Sequence, residues 1–439
     1  MTFQGEIDFR RLRYSTNFGT LTGSLTICGA LLGCNSGERM LPARGAEEGT
    51  ETRVVENAAP AGAAENRGWQ IATMPEVAIG ARSGTDADAR DEPMFHGVQT
   101  RFLPDGRILA ANGSSAEVMV FDTAGTLVSR FGGRGQGPGE LRGIVAVHVC
   151  GEGSIAVVDS RRTLHFFDQD GTFTHRARPR LGGRSALLRG ISRDCRRALL
   201  QQRIRMPGSN RLGLTEDVFA WADLFSEAVD TVTTAELLEA WTRSFQGGMR
   251  PWVIPWGASG NTNATRHDQL VLGNGRYSEL RGYDVTGGLQ WIVRWPGEPR
   301  PVTAGDRGRY STARQEFFSR VPSDHPEARF LFPALDDYPE VPTHKPLFDR
   351  LLLDDQGGIW VRLHPQDSFG LFDLRLPEPM FFTETWTVFD STGIWLGDVT
   401  LPDRFELHDI ERDQLLGVAR DSLDTETVQV LQIEAVPGR

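Results

Sequence analysis

Phe121–Gly133 reads FDTAGTLVSRFGG, and Phe167–Pro179, 46 residues further on, reads FDQDGTFTHRARP. Tyr283 begins YDVTGGLQWIVRW, and Phe389 begins FDSTGIWLGDVTL. Each copy holds an aromatic residue, an aspartate, two variable residues and a glycine, followed by an alternating apolar run. Asp and Gly supply a tight turn, and period-two alternation marks half-buried strands, so each copy predicts a β-hairpin. A second pattern stands upstream of the first. LPDGRILAAN (Leu103–Asn112), VCGEGSIAVVD (Val149–Asp159) and DDQGGIWVRL (Asp354–Leu363) each place a glycine-containing turn before a short β-branched strand. ISRDCRRALLQ (Ile191–Gln201) and IERDQLLGVAR (Ile410–Arg420) are degenerate copies.

One unit is therefore strand, turn, strand, loop, strand, turn, strand in about 45 residues, the spacing of a four-stranded propeller blade. The expected fold is all-β: a six-bladed β-propeller with blades near 95–133, 141–180, 186–234, 250–296, 346–400 and 404–439. The last blade is one strand short. WQIATMPEVAIG (Trp69–Gly80) is a free strand pattern ahead of the first blade and can supply that strand. Closure matters because an open ring leaves unpaired backbone edges. Residues 303–346 break the repeat. TAGDRGRYSTARQEFFSRV (303–321) has helical character, with Phe317, Phe318 and Val321 on one face, and a Pro- and aromatic-rich stretch follows. Such an excursion is either a functional loop or lid, or a cap over a blade edge. Thr234–Phe245 is expected to be a second helical stretch.

Composition sets the outer bounds. With 39% hydrophobic and 24% charged residues in 439, the chain can bury a large core. No run approaches the roughly 20 consecutive apolar residues of a membrane-spanning helix. The net charge of −11 lacks the basic footprint of nucleic-acid binding. The basic residues are arginines but for Lys345, and 49 glycines with 24 prolines favour tight turns over long helices.

The N-terminal region has its own logic. Arg10, Arg11 and Arg13 form a basic cluster, and a mostly apolar or small segment runs from Phe18 to Gly33, ending Leu31-Leu32-Gly33-Cys34. That order is the order of a secretory signal peptide. The Leu-Leu-Gly-Cys ending resembles the lipobox of bacterial lipoproteins. The resemblance implies a signal peptide over 1–33, lipidation of Cys34 and attachment to the cell envelope, with Asn35 leaning towards the outer membrane. Residues 34–66, dominated by Ala, Gly and Glu, are expected to be a disordered tether, and 67–439 the propeller. The V-x-V-F-D-x-x-G hairpin at 118–125, the FGGRGQGPGEL connection at 131–141 and the Asp-x-x-Gly-x-Ile-Trp-Val turn at 354–361 resemble bacterial six-bladed propeller lipoproteins and, more distantly, NHL-repeat propellers. That resemblance implies architecture and little about function.

Cys150 and Cys195 stand 45 residues apart at similar turns of neighbouring blades, so they are a candidate disulfide in an exported chain, or two free thiols too far apart to bridge. The nine histidines form no His-Glu-x-x-His and the mature chain has no CxxC, so no metal site, catalytic residue or cofactor is assigned. The glycine run 133–139 opens no helix and Pro138 removes a donor, which fits an inter-blade loop better than a phosphate cradle. His96, Arg142 and Arg189 precede or begin inner strands and are the candidate anion- or ligand-binding residues; the alternative is that each pairs with a nearby aspartate. The leading expectation is a binding or scaffolding module for a protein or small-molecule ligand, held at a membrane by its lipid and not binding nucleic acid. The alternative is a hydrolase, lactonase or lyase with a divalent metal in the channel. Six-bladed propellers of gluconolactonase type suggest that alternative, although their carboxylate-and-asparagine ligands are not found here.

Overall fold

The computed structural model of the chain describes residues 52–61, 69–80, 93–183, 186–208, 211–245, 248–258, 262–266, 268–320, 332–338, 340–370 and 383–435. Three strands come from the N-terminal segment: β1 (Arg53–Glu56), β2 (Trp69–Ile71) and β3 (Val77–Ile79). Blade one is β4 (Val98–Phe102), β5 (Ile108–Asn112), β6 (Glu117–Phe121) and β7 (Leu127–Gly132). Blade two is β8 (Ile144–Val149), β9 (Ile155–Asp159), β10 (Leu164–Phe167) and β11 (Phe173–Ala177). Blade three holds β12 (Leu187–Ile191), β13 (Arg197–Arg205), β14 (Leu212–Asp223), β15 (Val229–Phe245) and β16 (Gly248–Val253). Blade four is β17 (Asn263–Arg266), β18 (Gln269–Leu272), β19 (Glu279–Tyr283) and β20 (Leu289–Arg294). Helix α1 (Ala304–Arg320) precedes blade five, which is β21 (Phe348–Leu353), β22 (Ile359–Leu363), β23 (Thr385–Phe389) and β24 (Trp395–Thr400). Blade six is β25 (Phe405–Glu411), β26 (Gln414–Arg420) and β27 (Glu426–Ala435). The six antiparallel sheets form a β-propeller in which β4, β8, β12, β17, β21 and β25 are innermost.

The recurring Phe-Asp-x-x-Gly has a local cause. Asp122 Oδ1 accepts the backbone N–H groups of Ala124 and Thr126 at 3.0 and 2.7 Å, which folds the turn around one carboxylate. Gly125 takes φ +86°, a left-handed value that strains any residue with a Cβ, and the register slips by one between Val120 and Phe121. Asp168, Asp284, Asp354 and Asp390 repeat the same paired acceptance. These turns all fall on the face where the inner strands end, here the lower face. The long connections fall on the opposite, upper face. Between each neighbouring pair of blades lies one apolar cluster, for example Val118, Leu141 and Val157 between blades one and two.

The segment Trp69–Gly80 closes the ring as expected, in two pieces. One edge of β27 pairs with β26; the other pairs with β2 (Ile71 opposite Ile433) and β3 (Val77 opposite Val430, Ile79 opposite Val428). Val77 and Ile79 enter the cluster between blades six and one, beside Phe121 and Val418.

Three expectations need correction. Residues 34–66 are not tether throughout, because β1 lies parallel to β20 as a fifth strand of blade four, with Arg53 opposite Trp291 and Glu56 opposite Arg294. Asn57 continues this belt: its Nδ2 donates to Arg294 O and Gly393 O, and its Oδ1 accepts Trp395 N–H. Composition averaged over the whole segment hides Arg53-Val-Val-Glu56, which covers an open sheet edge and packs Val55 on the core of blades four and five. Thr234–Phe245 is strand, not helix. Ala, Leu and Glu favour a helix, but pairing with β14 on one edge and β16 on the other, with burial of both faces from Leu237 to Thr242, overrides that preference. Gly248–Val253 consequently belongs to blade three, and blade four begins at Asn263.

The expected helix in 303–321 is α1. Thr303 caps it reciprocally with Asp306: Asp306 Oδ2 accepts the Thr303 N–H at 2.8 Å, and the Asp306 N–H donates to Thr303 Oγ1 at 3.1 Å. Tyr310 and Phe317 of α1, Trp241 and Trp256 of the blade-three extension, and Phe332, Tyr338 and Phe369 form an aromatic core above the ring. The lone lysine sits under it: Lys345 Nζ meets Asp306 Oδ1 at 2.8 Å, both side chains 4% exposed. Burial opposes the charge on Asp306, but Lys345 and Thr303 hold its pKa at about 2. The insertion is thus a packed cap. Val321 and residues 322–331 lie outside the described residues.

Candidate ligand-binding channel

The site begins with an edge problem. Along β4, Val98, Thr100 and Phe102 turn their N–H groups away from β5, towards the axis. Blade six answers each with a side chain. Glu426 Oε2 accepts Val98 N–H at 2.9 Å, His408 Nδ1 accepts Thr100 N–H at 3.3 Å, and Asp409 Oδ2 accepts Phe102 N–H at 2.9 Å. An edge strand is thereby protected by side chains instead of another strand. The other ring nitrogen of His408, Nε2, faces Glu406 Oε1 at 3.5 Å.

Arginines from three inner strands, β4 among them, converge on this wall. Arg266 reaches from blade four across to blade six: its Nη1 donates to Asp409 Oδ1 at 2.7 Å, Ile410 O at 3.2 Å and Leu353 O at 3.2 Å. Arg350 from blade five lies 3.7 Å from Glu406 Oε1, with its guanidinium 6.0 Å from the Trp386 ring. Arg101 from blade one donates from Nη1 to Thr100 O at 2.7 Å and His408 O at 3.0 Å. Burial lowers the Arg101 pKa, Asp409 raises it, and Arg350 and Arg266 lower it further. Side chains from blades one, four and five thus all contact blade six: Arg101 at His408 O, Arg266 at Asp409 and Arg350 at Glu406. Burial opposes the charge of Glu406, yet His408, Arg350 and Arg420 outweigh it and hold the carboxyl well below the usual range.

His148 completes the ring from blade two. Its Nε2 is buried without a hydrogen-bond partner among the described residues. Burial, then the charge of Arg101, lowers its pKa to about 3. A base whose folded-state pKa is depressed favours the unfolded chain on protonation. Its contribution is complete above the ordinary pKa of 6.5 and is lost as pH falls towards 3. Between pH 7 and pH 4 the wild-type protein is expected to lose about 2–3 kcal/mol more stability than His148→Gln. Urea titrations at the two pH values measure this, and equal losses would show that His148 is not the group responsible.

The candidates from sequence stand at different registers of their blades. Counted back from the left-handed residue of the first hairpin turn, His96 stands ten residues before Gly106 and Arg142 eleven before Gly153, but Arg189 only six before Cys195. His96 is exposed on the upper face, its N–H bound to Asn112 Oδ1. Arg142 donates to Gln136 Oε1 in the inter-blade loop. Arg189 lies inside β12, where its Nε donates to Gln201 Oε1; burial lowers its pKa to about 10, with Asp217 raising it and Arg203 lowering it. The glycine run is an inter-blade loop whose Gln136 and Gly137 N–H groups are both taken by Glu140 Oε2 at 2.7 Å. Cys150 and Cys195 are joined, with Cα atoms 5.7 Å apart at adjacent lower-face turns. Such a crosslink stabilises by about 4 kcal/mol on loop-entropy grounds. Cys34 and the signal region lie outside the described residues.

Sequence reasoning missed Arg101, Arg266, Arg350, Glu406 and His408. The available signal was charge inside strands expected to be innermost: VQTRF, NATR, FDRLLL and FELHDIE. Among the described residues, no three of His, Cys, Asp and Glu are placed to hold a metal ion together.

Fold and channel together define a six-bladed β-propeller with a charged axial site. No known protein family matches the chain, and no curated protein matches its sequence. Solved structures resemble it in fold. A protein of Bacteroides fragilis, titled as exported, is 12% identical with a TM-score of 0.43, covering 88% of this chain and 100% of its own. A DUF4221 member from Bacteroides vulgatus is 11% identical with a TM-score of 0.48, covering 85% and 100%. A gluconolactonase from Xanthomonas campestris is 11% identical with a TM-score of 0.39, covering 83% and 100%. At such identities the likeness concerns fold alone.

Proposed function

We propose that the chain is a membrane-anchored, extracytoplasmic β-propeller that binds a ligand or protein partner through its upper face and channel. One observation carries this reading: the two faces are built differently. The α1 cap, the blade-three extension and the described ends of the β22–β23 connection (364–370 and 383–384) are all on the upper face, while the lower face carries short turns, several of them capped by an aspartate. The N-terminal segment enters from below, since β1 runs parallel to β20 and Thr52 bonds to Leu289 at that strand's lower end. An anchor at Cys34 therefore leaves the decorated face free for recognition, the usual office of long loops on a rigid scaffold. The alternative, a metal-dependent enzyme in the channel, gains no ligand set from the described residues.

The anchor is tested by labelling cells with an alkynyl fatty acid: the full chain is expected to label and sediment with membranes, and Cys34→Ser to do neither. Recognition is tested with photo-crosslinking residues in the full chain, at exposed Asp336 on the cap and exposed Ala124 on a lower turn. Adducts are expected from position 336. Equal adducts from both positions, or none from 336, would set the reading aside.

A further inference from the structure

Three guanidinium groups meet two carboxylates at the axis: Arg101, Arg266 and Arg350 against Asp409 and Glu406. The carboxylates are already committed. Asp409 holds Arg266 and the backbone N–H groups of Phe102 and Ile410. Glu406 is divided among Arg350, His408 and Arg420, and Arg420 in turn holds Glu426 at 3.0 Å. Arg101 is left with carbonyl oxygens alone. Among the described residues no carboxylate lies within ion-pair distance of it, and both hydrogens of its Nη1 serve Thr100 O and His408 O.

The opposite edge of this guanidinium, Nε with Nη2, keeps its donors. That edge presents two parallel N–H bonds, which match the oxygens of a carboxylate. Two further guanidinium groups stand on the neighbouring carboxylates, Arg266 on Asp409 and Arg350 on Glu406. A cation bonded to carbonyl oxygens alone in a partly desolvated site, with its carboxylate attraction from Asp409 beyond ion-pair distance, is incompletely compensated, and a matching anion relieves the cost.

We infer that the channel is a binding site for a compact oxyanion, a carboxylate above all, gripped side-on by Nε and Nη2 of Arg101 in the field of Arg266 and Arg350. The inference rests on the reading of the propeller as a binding module and gives that module a ligand class. The carboxylate belongs either to a free organic acid or to an acidic residue of a partner.

Isothermal titration of the full chain tests this, with sodium succinate in one arm and the peptide Gly-Gly-Asp-amide in the other, ionic strength being held constant with chloride. Saturable binding is expected in at least one arm, weakened at least about tenfold in Arg101→Gln. Succinate alone identifies the site with free acids; the peptide, with Gly-Gly-Asn-amide inactive, identifies it with a partner's side chain. Arg101→Gln should fold, because the glutamine amide can still donate to a carbonyl oxygen that Nη1 serves. If it does not fold, Arg350→Gln, which leaves Glu406 with Arg420 and His408, is expected to weaken binding about threefold or more. No saturable binding in either arm, or affinity unchanged in the folded variants, overturns the inference. That failure would leave the cross-linking contrast between positions 336 and 124 standing, whereas absent adducts at 336 would leave the titration unaffected.

Discussion

Asp409→Ala is expected to lower the stability of the full chain by about 3–5 kcal/mol in urea titration, because it breaks a largely buried ion pair from one side only. The carboxylate, 8% exposed, neutralises Arg266 at 2.7 Å and accepts the Phe102 N–H at 2.9 Å. Its loss strands a cation that spans blades four, five and six, and leaves the free edge of β4 without one of its three acceptors. It also removes the one attraction acting on Arg101 and leaves the repulsion from Arg266 and Arg350. Asp409→Asn retains an acceptor oxygen and should lose less. A cost below about 1 kcal/mol for the alanine variant would mean that the arginines relax into water and that the axial wall is not cooperative.

The second large effect belongs to ring closure. Ile79→Asp is expected to cost more than about 4 kcal/mol and to leave the protein open to proteolysis at neutral pH, since a carboxylate would enter an apolar layer with no partner. Ile79 is 5% exposed and stands opposite Val428, within the layer that joins the last blade to the first. The milder Ile79→Ala should cost about 2–4 kcal/mol. Val54→Asp is the control: Val54 is 49% exposed on β1, and a change within about 0.5 kcal/mol is expected. Equal sensitivity at positions 54 and 79 would show that β3 is an ornament of the ring and not its clasp.

The ring was legible in sequence because its signals are local. Each Phe-Asp-x-x-Gly writes a turn into five residues, and the missing strand of blade six was conspicuous against five complete copies. Blade three was read poorly, because β13, β14 and β15 overrun the usual strand length and Ala-Glu-Leu-Leu-Glu-Ala resembles a helix until its pairing partner is known. The axial site was nearly invisible. Arg101, Arg266, Arg350, Glu406 and His408 lie far apart in sequence and share no motif, and only the rotation of the blades brings them together. His96 and Arg142 kept the repeat spacing that made them noticeable, yet that spacing places them at loop positions. Periodicity reports what the scaffold repeats, whereas a channel site is assembled from residues in which the blades differ.

The belt along the outside of blade four decides how the ring meets mechanical load. A pull on the chain from its N-terminal side reaches β1 before anything else, and it draws that strand along its parallel partner β20, so several hydrogen bonds must slip together. The Asn57 clamp on Gly393 and Trp395 comes next. Only after both have yielded does force arrive at β2 and β3, where it could peel the ring open. A load applied from that side thus wears on an accessory strand while the clasp stays slack.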